Sequence, residues 1–99
     1  MTVQLSLTVN DIPIKTDYFV EGFIDHTTSG MIESLEGTGK IKDLNLSIDA
    51  GKVSITLNGA AVPINEFVTK IFISTFDGML DPLKGVTKPI KKVNISIRK

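Results

Sequence analysis

The chain has 99 residues, 41% of them hydrophobic and 22% charged, with no cysteine and a formal net charge of zero. That size makes one domain, residues 1–99, with one core. Disulfides and thiol chemistry are excluded. A structural zinc site would have to be built from a single histidine and carboxylates, and zero net charge gives no global pull toward nucleic acid or an anionic membrane.

In chain order, Val3 to Val9 alternates strictly, with Val3, Leu5, Leu7 and Val9 on one side and Gln4, Ser6, Thr8 and Asn10 on the other. This predicts a half-buried strand. It differs from a secretion signal, which begins basic and continues as an apolar run, so a cytoplasmic protein is expected. No apolar run approaches the length of a membrane span. "NDIPIKTD" then breaks the strand, because Pro13 cannot donate to a ladder, and Thr16 or Asp17 supplies a helix N-cap. From Asp17 the period becomes helical through Phe19, Val20, Phe23, Ile24, Thr27, Met31 and Leu35, and "GTGK" ends the run.

Ile41 to Ile48 alternates again, with Leu44, Leu46 and Ile48 inward and Asn45, Ser47 and Asp49 outward. "DAGK" predicts a tight hairpin into Val53 to Asn58. A second helix begins near Asn65 and uses Phe67, Val68, Ile71, Phe72, Phe76, Met79 and Leu83. Pro82 would clash with the carbonyl of Gly78, which predicts a kink or an end between them. Ile90 to Ile97 forms the last alternating strand.

The two halves repeat each other. "LSLTVN" matches "VSITLN", and Phe19 to Gly37 matches Phe67 to Gly85, both at a spacing of 48; "IKDLNLSI" matches "IKKVNISI" at 49. Identical Ser, Thr, Asn and Gly at non-core positions argue for an internal βαβ duplication, with repeat one at 3–49 and repeat two at 52–98. The expected fold is α+β: β-α-β-β-α-β of ferredoxin-like plan, with a four-stranded antiparallel sheet, strand order 4-1-3-2 and both helices on one face. The alternative is the same elements paired in another order, or strands exchanged between two chains.

No catalytic, metal or cofactor set emerges. His26 is the only histidine, and Ser74 stands at its matching position. Gly30 and Gly78 recur at one place in both helices, where each costs about 1 kcal/mol against alanine, so close packing is expected there. The open sheet face is expected to carry Ser6, Thr8, Ser54, Thr56, Asn94 and Ser96 among its outward residues, small and uncharged. It lacks the aromatics on which nucleic-acid bases stack, which argues against RNA. On the second helix, Ile73, Phe76 and Leu80 form a stripe that would mark an interface if exposed; Asp25 and Thr28 stand at the positions matching Ile73 and Phe76.

The sequence therefore points to a non-catalytic interaction or assembly module forming a homo-oligomer, with no nucleic acid, membrane or cofactor partner. The alternatives are a small-ligand binding or sensing domain and an enzyme centred on His26 with Asp25 or Glu33.

Overall fold

The computed structural model of the chain describes residues 4–35 and 40–99. The expected residues Val3, Glu36, Gly37, Thr38 and Gly39 lie outside them. The elements run β1 (Gln4–Val9), β2 (Ile12–Pro13), α1 (Tyr18–Glu33), β3 (Asp43–Asp49), β4 (Lys52–Leu57), β5 (Ala60–Ala61), α2 (Glu66–Leu80) and β6 (Lys92–Arg98). The protein is α+β, with two helices and an antiparallel sheet.

The sheet has six strands among the described residues, not four, in the order β2-β1-β6-β3-β4-β5. The four long strands do not follow 4-1-3-2. Their centre is β3 and β6, the second strand of each half, with β1 and β4 outside them. Two short hairpins explain the difference. Asn10 and Asp11 have φ of 52° and 65°, and Asn58 and Gly59 have 50° and 85°. Two consecutive positive φ values make the tight turn whose twist matches paired strands. Each turn folds the chain back as β2 or β5 along the outer edge of β1 or β4, and Ile14 N–H to Leu7 and Val62 N–H to Ile55 extend the two ladders at 2.9 Å each. A strand with one edge occupied by its own hairpin cannot sit at the centre, because a central strand needs both edges free. The hairpin predicted at "DAGK" is present, pairing Asp49 with Lys52 through Ala50 and Gly51, both at positive φ.

The helix ends follow local chemistry. Asp17 and Asn65 cap α1 and α2, each accepting the N–H of the residue three further on at 2.8 Å. Helix α2 ends at Leu80, within the interval that Pro82 predicts. One face of the sheet and one stripe of each helix share the core. Leu44, Leu46, Ile48, Val93, Ile95 and Ile97 pack with Ile24 and Ile32 of α1 and with Phe72, Phe76 and Leu80 of α2.

This assignment corrects two expectations. Phe76 and Leu80 are fully buried and Ile73 is half-buried, so they form no exposed stripe. The outward face of each helix is the opposite one. It carries Phe19, Phe23, His26 and Gly30 on α1, and Phe67, Ile71, Ser74 and Gly78 on α2. Gly30 and Gly78 are exposed, and a Cβ at either would meet nothing within 4 Å, so neither permits a close approach inside the chain. Alanine at either position is expected to raise stability by about 0.5–1 kcal/mol in denaturant titration, because only the helical cost of glycine is removed. A loss at either position would mean that a neighbour does pack there.

Candidate functional site on the open sheet face

Outward side chains of the four long strands align in cross-strand rows set by the pairing register. One row reads Ser6, Ser96, Asn45, Thr56, and the next reads Thr8, Asn94, Ser47, Ser54. All eight are small hydroxyl or amide residues, exposed or half-buried, and none of their side chains has a hydrogen-bond partner among the described residues. They line a shallow, open depression of about 210 Å³. The sequence-derived face residues Ser6, Thr8, Ser54, Thr56, Asn94 and Ser96 therefore lie together, joined by Asn45 and Ser47.

On this face, charge is confined to the rows on either side of these two, at the two ends of the strands. At one end Arg98 pairs in register with Gln4 and Asp43, and its Nε lies 4.0 Å from Asp43 Oδ1, beyond hydrogen-bond reach. At the other, Lys92 and Lys52 flank Asp49, and Lys92 reaches Asp11 at 3.1 Å. Each end holds equal numbers of positive and negative groups around the neutral centre.

Asn10 and Asn58 do not belong to the open face. Each sits in its hairpin turn and bonds to the segment that leads into a central strand of the opposite half. Asn58 Oδ1 accepts from the N–H groups of Lys42 and Asp43, and its Nδ2 donates to the Lys40 carbonyl. Asn10 Oδ1 accepts from the N–H groups of Lys91 and Lys92, and its Nδ2 donates to Thr87 and Pro89. The two latches occupy positions 48 apart and lock β3 and β6 between the outer strands.

A second polar cluster contains residue types used in catalysis. Ser29 Oγ donates to Asp25 Oδ1 at 3.1 Å, and Lys99 Nζ lies 3.2 Å from both Asp25 Oδ1 and Ser29 Oγ. A lysine that acts as base toward a serine must accept the hydroxyl proton. Here that proton points to the carboxylate, and the ammonium donates to the hydroxyl oxygen. The arrangement is a staple that ties the last residue of the chain to α1. Asp25 is only 5% exposed, so it is neither a free surface charge nor an orienting partner for the exposed His26. Thr28 Oγ1, also on α1, is buried without a hydrogen-bond partner.

Lys99→Met is expected to cost about 2 kcal/mol, reduced from the fully buried case because Lys99 is partly exposed, since it strands the Asp25 carboxylate. Asp25→Ile with Lys99→Met should recover most of that loss, because it reproduces the isoleucine found at position 73. A double-mutant cycle in urea measures the coupling. Zero coupling would mean the pair does not form.

Among the described residues, no cluster of three or more acidic or histidine side chains is placed to hold a metal ion, and no helix is long and apolar enough to cross a membrane. Comparison with family models, with curated proteins and with solved structures gives no match.

Proposed function

We propose that the chain is a non-catalytic assembly module that associates with a second copy of itself through the open face of its sheet, and that its two halves arose by internal duplication. The observation that carries the first part is the pair of neutral rows. A twofold contact between identical patches brings each surface against its own copy, so a net charge on the patch would repel itself. Hydroxyl and amide groups both donate and accept, so such a face is complementary to itself. The mixed charges at each end find opposite partners in either relative orientation. Short side chains also permit the face-to-face sheet spacing of about 10 Å.

Size supports the same reading. The molecule is a slab of 35 × 34 × 18 Å, so its broad face is large enough for the ~800 Å² per partner of a stable complex. The depression of about 210 Å³ is smaller than the ~300 Å³ where ligand pockets begin, which places a small-molecule ligand second. The duplication is supported by the matched turns, caps and asparagine latches at equivalent positions of the two halves.

Light scattering across micromolar to millimolar concentration tests the assembly. The expected result is a concentration-dependent dimer that Ser54→Arg with Thr56→Arg abolishes. Both side chains are exposed, so thermal stability should change little. A strict monomer at the highest concentration overturns the proposal.

A further inference from the structure

The helix layer presents the opposite broad face, and its chemistry differs from that of the sheet. Tyr18 is 94% exposed, Phe19 74% and Phe23 49%, all within the first two turns of α1. Phe19 and Phe23 stack on each other with ring centroids 6.1 Å apart, presenting one continuous aromatic surface to solvent. At about 100° per residue, Phe19, Phe23, His26, Gly30 and Glu33 fall along a single line on the side of α1 opposite its buried residues Ile24, Thr28 and Ile32. This line is apolar at its start, bare at Gly30 and acidic at its end. The run from Phe23 to Glu33 covers ~15 Å of helix.

Charge identifies the occupant. The helices and their capping residues hold seven of the eleven acidic residues of the chain (Asp17, Glu21, Asp25, Glu33, Glu66, Asp77 and Asp81), with one lysine, Lys70, and no arginine. On α2, Glu66 lies 3.8 Å from Lys70 and Asp81 3.0 Å from Lys88, so the acids without a lysine or arginine partner among the described residues are mostly those of α1 and its cap. Asp25 is neutralised by Lys99, and α1 itself contains no lysine or arginine. Glu33 lies in the last turn of α1, where the helix dipole already presents negative charge and which itself holds no basic side chain. A second copy docked here would set Glu33 against Glu33 when the two helices run parallel and against the aromatic rings when they run antiparallel, so neither arrangement pairs the carboxylate, and an anionic membrane would be repelled by Glu33. A segment with apolar side chains for Phe19 and Phe23 and a lysine or arginine for Glu33 would satisfy both ends of the line. Between them Gly30, with open space around it, lets that segment approach the helix backbone.

We infer that the outward face of α1 is a docking site for a basic amphipathic segment of another protein. The site is independent of the self-association face, on the other side of the slab.

The test uses the full chain and a synthetic helical peptide of leucine and lysine as probe, followed by amide chemical-shift mapping and titration. The expected result is saturable binding with shifts concentrated on residues 18–33. Phe19→Ser with Phe23→Ser should weaken it at least tenfold, as should Glu33→Lys, with raised salt reducing the affinity further. All three side chains are exposed, and an unchanged melting temperature confirms that each variant is folded. Equal binding of a leucine–glutamate peptide, or leucine–lysine binding that both variants leave unchanged, overturns the inference. Binding of α1 to neutral phosphatidylcholine vesicles with no peptide binding also overturns it, in favour of a membrane surface.

Discussion

Asn58→Ala should lower the stability of the protein by about 3 kcal/mol. Three hydrogen bonds disappear with the side chain, to the N–H groups of Lys42 and Asp43 at 2.9 Å each and to the Lys40 carbonyl at 2.7 Å. Asn58 is exposed, so water replaces part of each bond and the three together are worth about 2 kcal/mol, the low end of the usual range. The residue also has φ of 50°, a left-handed conformation that costs alanine about 1 kcal/mol more. For a domain of this size, such a loss moves the melting temperature by roughly 12–24 °C. Asn58→Gly separates the two causes, because it removes the bonds and keeps the backbone relaxed; it should lose about 2 kcal/mol. Asn10→Ala should lose at least as much as Asn58→Ala, since at φ 52° Asn10 Oδ1 accepts the corresponding two N–H groups and its Nδ2 also donates to Thr87 and Pro89. A loss below 1 kcal/mol at both positions would show that the latches do not hold the central strands.

These asparagines also show why strand order was harder to read than strand existence. The alternation in "LSLTVN" and "IKKVNISI" is long enough to reveal a strand and its buried side, and the register preserves that alternation. The hairpin signal Asn58-Gly59 is also in the sequence. The strand it opens is two residues long, however, and two residues have no period to detect. Asn10-Asp11 is weaker still, because both positions need positive φ and neither is glycine. Sheet order depends on these two short strands, since they decide which edges remain free. It was therefore set by turns whose consequences are tertiary.

The helices posed a different difficulty. Each has apolar residues on both its inner and outer faces, so helical spacing alone selects several stripes. Phe19 and Phe23 satisfy it as well as Ile24 does, yet they face solvent. Comparing the two halves narrows the choice in one direction only. Ile24, Thr28 and Ile32 correspond to Phe72, Phe76 and Leu80, and all six are buried. The outward lines correspond just as well, so repetition marks both faces without saying which is inside. The open sheet face was more legible because strand geometry leaves two sides only, and the Ser, Thr and Asn residues of the four long strands all fall on one of them.

Phe76→Ala should be the most damaging single core substitution on α2, costing about 3–5 kcal/mol. Phe76 is 0% exposed and meets Phe72 with ring centroids 6.2 Å apart, against the inward side chains of the sheet. Truncating a fully buried phenylalanine removes the transfer energy of the ring and leaves a cavity that the surrounding structure only partly fills. Set against the ~5–15 kcal/mol that holds a domain of this kind together, the loss removes roughly a fifth to all of the stability and lowers the unfolding midpoint in proportion. Phe67→Ala is the matched control. It removes the same ring from the same helix, but Phe67 is 69% exposed, so a change within about 0.5 kcal/mol is expected. Urea titration of the two variants decides between the faces of α2. If Phe76 were part of an exposed stripe, as spacing from Ile73 and Leu80 alone suggests, both substitutions would leave the midpoint where it is and Phe76→Ala would change self-association instead. A large fall for Phe76→Ala with an unchanged slope, and none for Phe67→Ala, fixes the inward face as Phe72, Phe76 and Leu80 and leaves Phe67 and Ile71 at the surface.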